Sequence, residues 1–549
     1  LLMLNIFYCE GEGSIWDTIK KEKITTFVTN NRSTTVMIDN RLVTIREERK
    51  LMNRLLVASR TRPDIDLCEC LGTYEFTVTP PSLFCPDGTM HPTNDKSVIA
   101  EQLFQLQADS TNETPLMENV DEPDDTRKVI IIDGMAVVNR VDIKKRSIKS
   151  CADFAKCFLD IIDKEATDFD EVRVIFDHYK HDSLKNKTRS GRTKGRSSVQ
   201  YKVLNSTKIE HLDTKEFLSS IQTKQELTKY LSGKLSQHLL KDFVLVLNGN
   251  VTSNLSDLDE DLFNYNHEEA DTGIVLHALD VAKRDPFSEL VILCSDTDVL
   301  LILLHYFESL CSSTIFKTVN REFELRKIHS QLPLNVCKAL LGFHAITGCD
   351  QTGRFLGYTK LSCWETFLLV DDDVLQGFSQ LGSSSQLTSD VVKSLEKYVV
   401  QLYCRNKVPQ GIQSLADLRW RMFSKKQAES HKLPPTLEAF RQKCLRGHYM
   451  NTVWKQSHIS FQILPDPLDF GWKKDADECY EPVTTALLPA PQSIIHLTVC
   501  SCKTVKYADN RCKCKKNNLK CSEMCQCTNC ENELSENLNS HSIDDDLET

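Results

Sequence analysis

The chain has 549 residues, 40% of them hydrophobic, and a formal net charge of −10 at pH 7. This length exceeds what one hydrophobic core serves and predicts about two to four domains. The acidic total argues against a uniformly basic nucleic-acid binder, although local patches decide such contacts. The longest apolar stretch, residues 290–307, contains Asp296 and Asp298, so no run is long and apolar enough to predict a membrane span.

The N-terminal part predicts a small α+β region over residues 1–106. Short strand-like runs at 25–28 and 34–38 precede a helical stretch at 46–60, and no motif here indicates a chemistry. Residues 107–127 predict an acidic linker, because 107–125 contain seven acids and no basic residue. A new domain is expected to start after this linker.

Residues 128–365 alternate apolar runs with amphipathic helices. The runs at 129–132, 172–176, 243–247 and 290–294 are apolar almost throughout, which is typical of strands buried on both faces. The predicted fold class is therefore α/β, with a parallel twisted sheet covered by helices on both faces. Ligands bind at the carboxyl edge of such sheets, and three of the four runs end close to an aspartate at that edge.

Seven acidic residues of this domain predict a metal centre. They follow strands, begin helices or end helical turns, and they are Asp133, Asp177, Glu269, Asp271, Asp296, Asp298 and Asp350. Mg²⁺ takes oxygen ligands, and two ions about 4 Å apart can activate water and stabilise a leaving phosphodiester oxygen. The alternative interpretation is that each acid is a helix cap or turn former. The apolar flanks of Asp296 and Asp298 favour a cation, since two like charges beside a buried strand end are costly.

The contexts of these acids resemble the flap endonuclease family, within the wider PIN-like fold. The matching motifs are Ile132-Asp133-Gly134, Phe176-Asp177, Glu269-Ala270-Asp271, Asp296-Thr297-Asp298 and Gly348-Cys349-Asp350. The resemblance covers roughly residues 128–360 and implies an endonuclease or 5′-exonuclease that depends on Mg²⁺ or Mn²⁺. Asp271 replaces the usual Glu, and Glu268 is a possible substitute ligand. The residues of these motifs also resemble those of a poorly characterised multicopy group of invertebrate proteins.

Two features predict contact with nucleic acid. An arch-like insertion over about 178–235 begins with a run carrying eight basic residues and one acid, and its basic residues are Lys180, Lys185, Lys187, Arg189, Arg192, Lys194, Arg196 and Lys202. Such a run would neutralise several phosphates and make binding salt-dependent. Gly357 and Lys360 stand where the family has a turn that contacts the duplex backbone. A solvated loop and a plain interhelical turn are the alternatives.

The C-terminal part predicts a mostly helical extension (366–445), a connector rich in proline and aromatic residues (446–498), a zinc module (499–532) and an acidic, disordered tail (533–549). The module contains eight cysteines in dense C-x-C spacing: Cys500, Cys502, Cys512, Cys514, Cys521, Cys525, Cys527 and Cys530. Eight thiolates exceed the four ligands of one tetrahedral Zn²⁺, which predicts at least two ions, with disulfides as the alternative. The spacing resembles the CXC domain of tesmin-like DNA-binding proteins and implies DNA contact.

The leading hypothesis is a nuclease dependent on divalent metal that selects DNA by its structure, recruited by the zinc module. The alternative is a nucleic-acid-binding or interaction protein whose PIN-like domain has lost turnover. A third reading is a zinc-scaffolded factor that binds proteins through its N-terminal region. DNA is the expected partner and RNA stays open, no membrane is expected, and the sequence identifies no protein partner. The C-x-C cysteines fit metal in a reducing compartment, and the expected partner alone predicts a nuclear or nucleo-cytoplasmic protein.

Overall fold

The computed structural model describes residues 34–38, 41–45, 51–52, 55–56, 58–59, 65–93, 95–109, 126–179, 183–184, 199–238, 241–425, 432–476, 478–491 and 494. The eight cysteines of the predicted zinc module lie outside these ranges. So do the basic residues of the predicted arch, with the exception of Lys202. The zinc module and the basic arch therefore stay predictions.

A seven-stranded sheet forms the centre of the described structure. The strands are β1 (Thr34–Ile38), β2 (Arg41–Ile45), β3 (Lys128–Asp133), β4 (Glu171–Ile175), β5 (Asp242–Leu247), β6 (Asn250–Ser253), β7 (Glu289–Leu293), β8 (Ser313–Lys317), β9 (Glu322–Glu324), β10 (Trp472–Lys474) and β11 (Tyr480–Pro482). The central sheet has the order β6-β5-β4-β3-β7-β8-β9. Its five inner strands are parallel, and β6 and β9 close the edges as antiparallel strands.

The predicted α/β class with a mostly parallel sheet is confirmed. The helices are α1 (Leu67–Thr73), α2 (Ser97–Asp109), α3 (Gly134–Arg140), α4 (Cys151–Ala166), α5 (Thr214–Phe217), α6 (Ile221–His238), α7 (Ala270–Arg284), α8 (Thr297–His305), α9 (Leu325–Gln331), α10 (Leu334–Thr347), α11 (Lys360–Phe367), α12 (Asp372–Gln380), α13 (Ser389–Tyr403), α14 (Leu415–Ser424) and α15 (Leu437–Lys455). Among the described helices, none is long and apolar enough to cross a membrane.

Alternate side chains of the inner strands are buried in two hydrophobic cores, one on each face of the sheet. Ile130 and Ile132 pack with α4 and α6, whereas Val129 and Ile131 pack with α7, α8 and α10. This alternation is what a strand buried on both faces requires, because successive side chains point to opposite faces. Helices thus cover both faces of the sheet, as the continuous apolar runs indicate.

One core extends well beyond the predicted boundaries of the sheet domain. Leu83, Ile99 and Leu103, which belong to the predicted N-terminal region, are buried in the same cluster as β3 and β7. Side chains from the helical extension, among them Leu395 and Phe440, are buried in it as well. The sheet, the segment before it and the helices after it therefore share one core within the described residues, because α2 and α15 bring their apolar faces onto the sheet helices.

Gly134 is expected to be essential for the packing beside the carboxyl edge of β3. It is the first residue of α3, and a Cβ at this position would collide with ring atoms of Phe176. We expect Gly134→Ala to lower the free energy of unfolding by about 1–3 kcal/mol, because the ring must shift in a filled core. Urea unfolding followed by circular dichroism measures the change.

Gly233→Ala provides the matched control. Gly233 lies inside α6, is exposed, and would bring its new Cβ within 4 Å of no other group. This substitution should raise stability by about 0.5–1 kcal/mol through helix propensity alone. Equal stability of the two variants would contradict the close packing at Gly134.

Candidate metal centre

Acidic side chains converge at the carboxyl edge of the three central strands. Because β4, β3 and β7 are adjacent, Asp133 at the end of β3 lies beside Asp177, two residues after β4, and Asp296, three residues after β7. Asp271 from the first turn of α7 and Asp350 from the loop after α10 join them. These five residues line one cleft of about 560 Å³. The structure therefore brings together five of the seven predicted acids.

Two of the acids in the cleft also cap helices. The Oδ1 atom of Asp133 accepts hydrogen bonds from the backbone N–H groups of Met135 (2.8 Å) and Ala136 (3.2 Å). The Oδ1 atom of Asp296 accepts one from the N–H of Asp298 (3.0 Å). The capping interpretation is thus correct for these two residues, but it does not exclude a metal role, because each carboxylate still lines the cleft. The caps fix the orientation of both side chains.

Asp177 connects two elements of the site. Its Oδ1 atom accepts a hydrogen bond from the N–H of Ala270 (2.9 Å), which ties the segment after β4 to the first turn of α7. This bond places Asp271, the next residue, at the cleft, where its side chain is buried to 8% exposure. The shorter side chain of Asp271, compared with the Glu of the family pattern, therefore still reaches the cleft.

Glu269 lies in a different place from the other acids. Its Oε1 atom accepts a hydrogen bond from the Nε2 group of Gln351 (3.3 Å), and it lines a neighbouring cavity of about 320 Å³. Glu268 lines the same cavity and accepts a hydrogen bond from the hydroxyl of Ser183. Neither glutamate lines the cleft of the five aspartates, so the structure does not place Glu268 there as a substitute ligand.

Asp298 is buried behind the cleft and is only 4% exposed. The Nε2 group of His344 donates to its Oδ1 atom at 2.9 Å. Burial, followed by the charge of Lys360, lowers the pKa of His344 to about 4 despite the attraction of Asp298. His344 is therefore neutral at pH 7, and it orients Asp298 without neutralising its charge.

Lys96 brings a positive charge to Asp298 and Asp350. Its Nζ atom lies 2.6 Å from Oδ1 of Asp350 and 3.4 Å from Oδ1 of Asp298. Burial works against the ammonium, but Asp298, Asp296 and Asp350 outweigh it and raise the pKa of Lys96 above its ordinary value. Sequence reasoning missed this residue, because it lies 202 positions before Asp298 in a region without a motif.

The charge balance of the cleft fits a bound cation. Within the part of the chain that the structure describes, five carboxylates line it together with two ammonium groups, those of Lys96 and Lys224. Burial, and then the charge of Asp177, raises the pKa of Asp133 to about 6. Among the described residues, no three His, Cys, Asp or Glu side chains form a ready metal-ligand group. Mg²⁺ does not require one, since it keeps several waters and uses one or two carboxylates.

Two buried lysines support the loop that carries Asp350. The Nζ group of Lys360 donates to the carbonyl of Gly348 (2.8 Å), and that of Lys443 donates to the carbonyl of Gly353 (2.7 Å). Lys360 is 3% exposed, which differs from the position expected of a phosphate contact. Gly357, in contrast, is exposed in a left-handed turn at φ +83°, where a duplex backbone could approach it.

We expect Asp133→Asn to stabilise the fold at pH 7.5 when no divalent cation is added. The folded-state pKa of Asp133, about 6, exceeds the ordinary value of 3.8, so the folded chain holds this proton more tightly than the unfolded chain. The carboxyl group therefore reduces stability as the pH rises from about 4 to 6. Asn keeps the cap and removes the charge, and the partly exposed position limits the gain to about 1–2 kcal/mol.

Thermal unfolding at pH 4 and pH 7.5 measures this effect, with Asp160→Asn, an exposed aspartate of α4, as the control. The gain should be largely absent at pH 4, where the wild-type carboxyl is mostly protonated. A gain of the same size at both pH values would show that the ionised carboxylate of Asp133 is not its cause.

Comparison with known proteins gives little further information. No protein-family model matches the chain, and no curated protein matches it. Among solved structures, the crystal structure of the T5 D15 protein co-crystallized with metal ions aligns over 60% of this chain and 91% of that chain. The TM-score is 0.31 and the sequence identity 13%, values too low for this likeness to establish a shared fold or activity.

Proposed function

We propose that this chain cleaves phosphodiester bonds of nucleic acid at the aspartate cleft, with the help of Mg²⁺ or Mn²⁺. The observation that carries the proposal is the convergence of five carboxylates from three adjacent strands and two helical elements in one open cleft. Such an arrangement repels a phosphodiester unless a cation lies between them, because both carry negative charge. The same excess of negative charge is what attracts the cation.

Four aspartates of the cleft would hold the cation, one or two of them directly and the others through its bound waters: Asp133, Asp177, Asp271 and Asp296. A bound divalent ion supplies Lewis acidity and lowers the pKa of water, so that hydroxide is available near neutral pH. The caps at Asp133 and Asp296 keep their carboxylates in fixed orientations, which reduces the reorganisation needed when charge develops. The ammonium of Lys96 lines the same cleft and offsets negative charge there. No covalent nucleophile from the protein is required.

DNA, with branched or flapped structure, is the substrate class that we propose. The basic run at residues 180–196 follows Asp177 directly in the sequence and would neutralise several phosphates of the substrate. The proposed Zn²⁺ module at residues 499–532 carries further basic residues that suit contact with duplex DNA, and it would recruit the chain to its substrate. A nuclear or nucleo-cytoplasmic location follows from this substrate.

A second candidate function is binding of nucleic acid without turnover. It is favoured by the ion pairs of Lys96, since an ammonium already lies on two of the acids that the flap endonuclease pattern assigns to metal. In that case the aspartates would no longer take part in catalysis, and the zinc module would bind the nucleic acid. The number of carboxylates kept in the cleft favours catalysis instead.

Asp296→Asn tests the proposed function with minimal change in structure. The amide keeps the cap to Asp298 and removes one negative charge from the cleft. Cleavage of 5′-labelled flap, duplex and single-stranded DNA with Mg²⁺ or Mn²⁺ should fall at least about 100-fold, since a metal ion contributes several kcal/mol to such a reaction. Glu260→Gln, an exposed acid in the turn Glu260–Phe263, should leave cleavage unchanged.

Equal cleavage by wild type and Asp296→Asn would show that the activity does not use this cleft. If the wild type cleaves neither these DNA substrates nor matched RNA substrates while DNA binding depends on zinc, the second candidate function replaces the first. Thermal unfolding of each variant distinguishes lost chemistry from lost folding.

A further inference from the structure

Lys96 occupies a position between two of the predicted metal ligands. Its Nζ atom is 2.6 Å from Asp350 Oδ1, and it lies 3.4 and 3.5 Å from the two carboxylate oxygens of Asp298. A divalent cation shared by these two aspartates would have to lie in the same space, because oxygen ligands surround Mg²⁺ at about 2.1 Å. The ammonium and such a cation therefore exclude each other.

The backbone around Lys96 is held in place from several sides. Asp95 accepts a hydrogen bond from the N–H of Lys360 (3.1 Å), and the carbonyl of His91 accepts one from the N–H of Arg354 (3.0 Å). α2 begins at the next residue, and its Ile99 is fully buried in the core. Lys96 is therefore fixed at the cleft by the same contacts that fix the loop with Asp350, unlike a lysine on a solvated surface.

The charges around Lys96 require a cation at this point. Asp298 is 4% exposed and shares the ammonium of Lys96 with Asp350, so the two carboxylates are close enough to repel each other. Such an arrangement is costly unless a positive charge lies between the two groups. Lys96 provides that charge from within the chain, whereas a second metal ion would have to be taken from solution.

We infer that Lys96 is a built-in replacement for one divalent cation, so that the cleft binds a single Mg²⁺ or Mn²⁺ on the side of Asp133, Asp177, Asp271 and Asp296. This inference rests on the proposed function and goes further, since it assigns the Asp298 and Asp350 side to a protein ammonium. Lys96 is thus a positioning residue that keeps these two carboxylates apart from the metal. Its removal opens a second metal position.

Counting bound Mn²⁺ tests this inference independently of cleavage. The 549-residue chain, loaded with Zn²⁺, is titrated with Mn²⁺, and free Mn²⁺ is followed by electron paramagnetic resonance. In the wild type we expect one bound Mn²⁺ per chain, and Asp296→Asn should weaken its binding. In Lys96→Ala we expect two such ions. Lys96→Arg should keep one, because its charge stays. Lys224→Ala, which removes the other ammonium lining the cleft, should also keep one.

Stability provides a second readout for the same variants. Without added metal, Lys96→Ala should lower the thermal midpoint, because Asp298 and Asp350 lose the charge between them. Millimolar Mn²⁺ should restore the midpoint of Lys96→Ala but not that of Lys96→Ala combined with Asp350→Asn, in which the second position lacks a ligand. This rescue would show that Lys96→Ala still folds and that the new ion lies where the ammonium was.

Three outcomes would overturn the inference. Two ions in the wild type would show that Lys96 does not displace a metal, and one ion in both wild type and Lys96→Ala would show that its removal opens no position. Both of these results leave the proposed function intact, since one cation suffices for it. If no ion is sensitive to Asp296→Asn in any variant, the proposed function fails together with the inference.

Discussion

Mutual repulsion of carboxylates at one edge of a parallel sheet is the constraint on which the rest of this structure depends. Asp133, Asp177 and Asp296 lie close together because their strands are neighbours and run in the same direction. The repulsion is offset in different ways: caps to backbone N–H groups at Asp133 and Asp296, and a bond from Ala270 to Asp177. These hydrogen bonds do not neutralise the carboxylates, and their remaining negative charge would attract a divalent cation.

At Asp298 and Asp350, the ammonium of Lys96 offsets the negative charge. Its position depends on the surrounding fold. Lys96 reaches Asp298 and Asp350 only because the segment before α2 runs beside the loop after α10. That loop is held in turn by the ammonium groups of Lys360 and Lys443, which donate to its carbonyls. The site therefore depends on the N-terminal segment and on α15, and the sheet by itself would not complete it.

A fixed ammonium and an exchangeable metal ion have different consequences for catalysis. The ammonium is always present and carries one charge, whereas a divalent ion carries two and depends on the concentration of the metal. In the arrangement that we propose, with one of each, a single ion completes the cleft, so we expect its metal dependence to be simpler than that of two exchangeable sites. The partly buried ammonium of Lys96 is stable because Asp298, Asp296 and Asp350 offset the loss of its hydration.

The sequence alone determined the sheet and its acidic edge, since both depend on local pattern. The apolar run before Asp133 and the run before Asp296 predict buried parallel strands, and parallel strands deliver their ends to one edge. Tertiary structure alone decided that Lys96 enters the cleft, that Glu269 turns to a neighbouring cavity and that Lys360 is buried. These placements arise from contacts between residues far apart in the chain, and neither hydrophobic periodicity nor motif spacing carries information about such contacts.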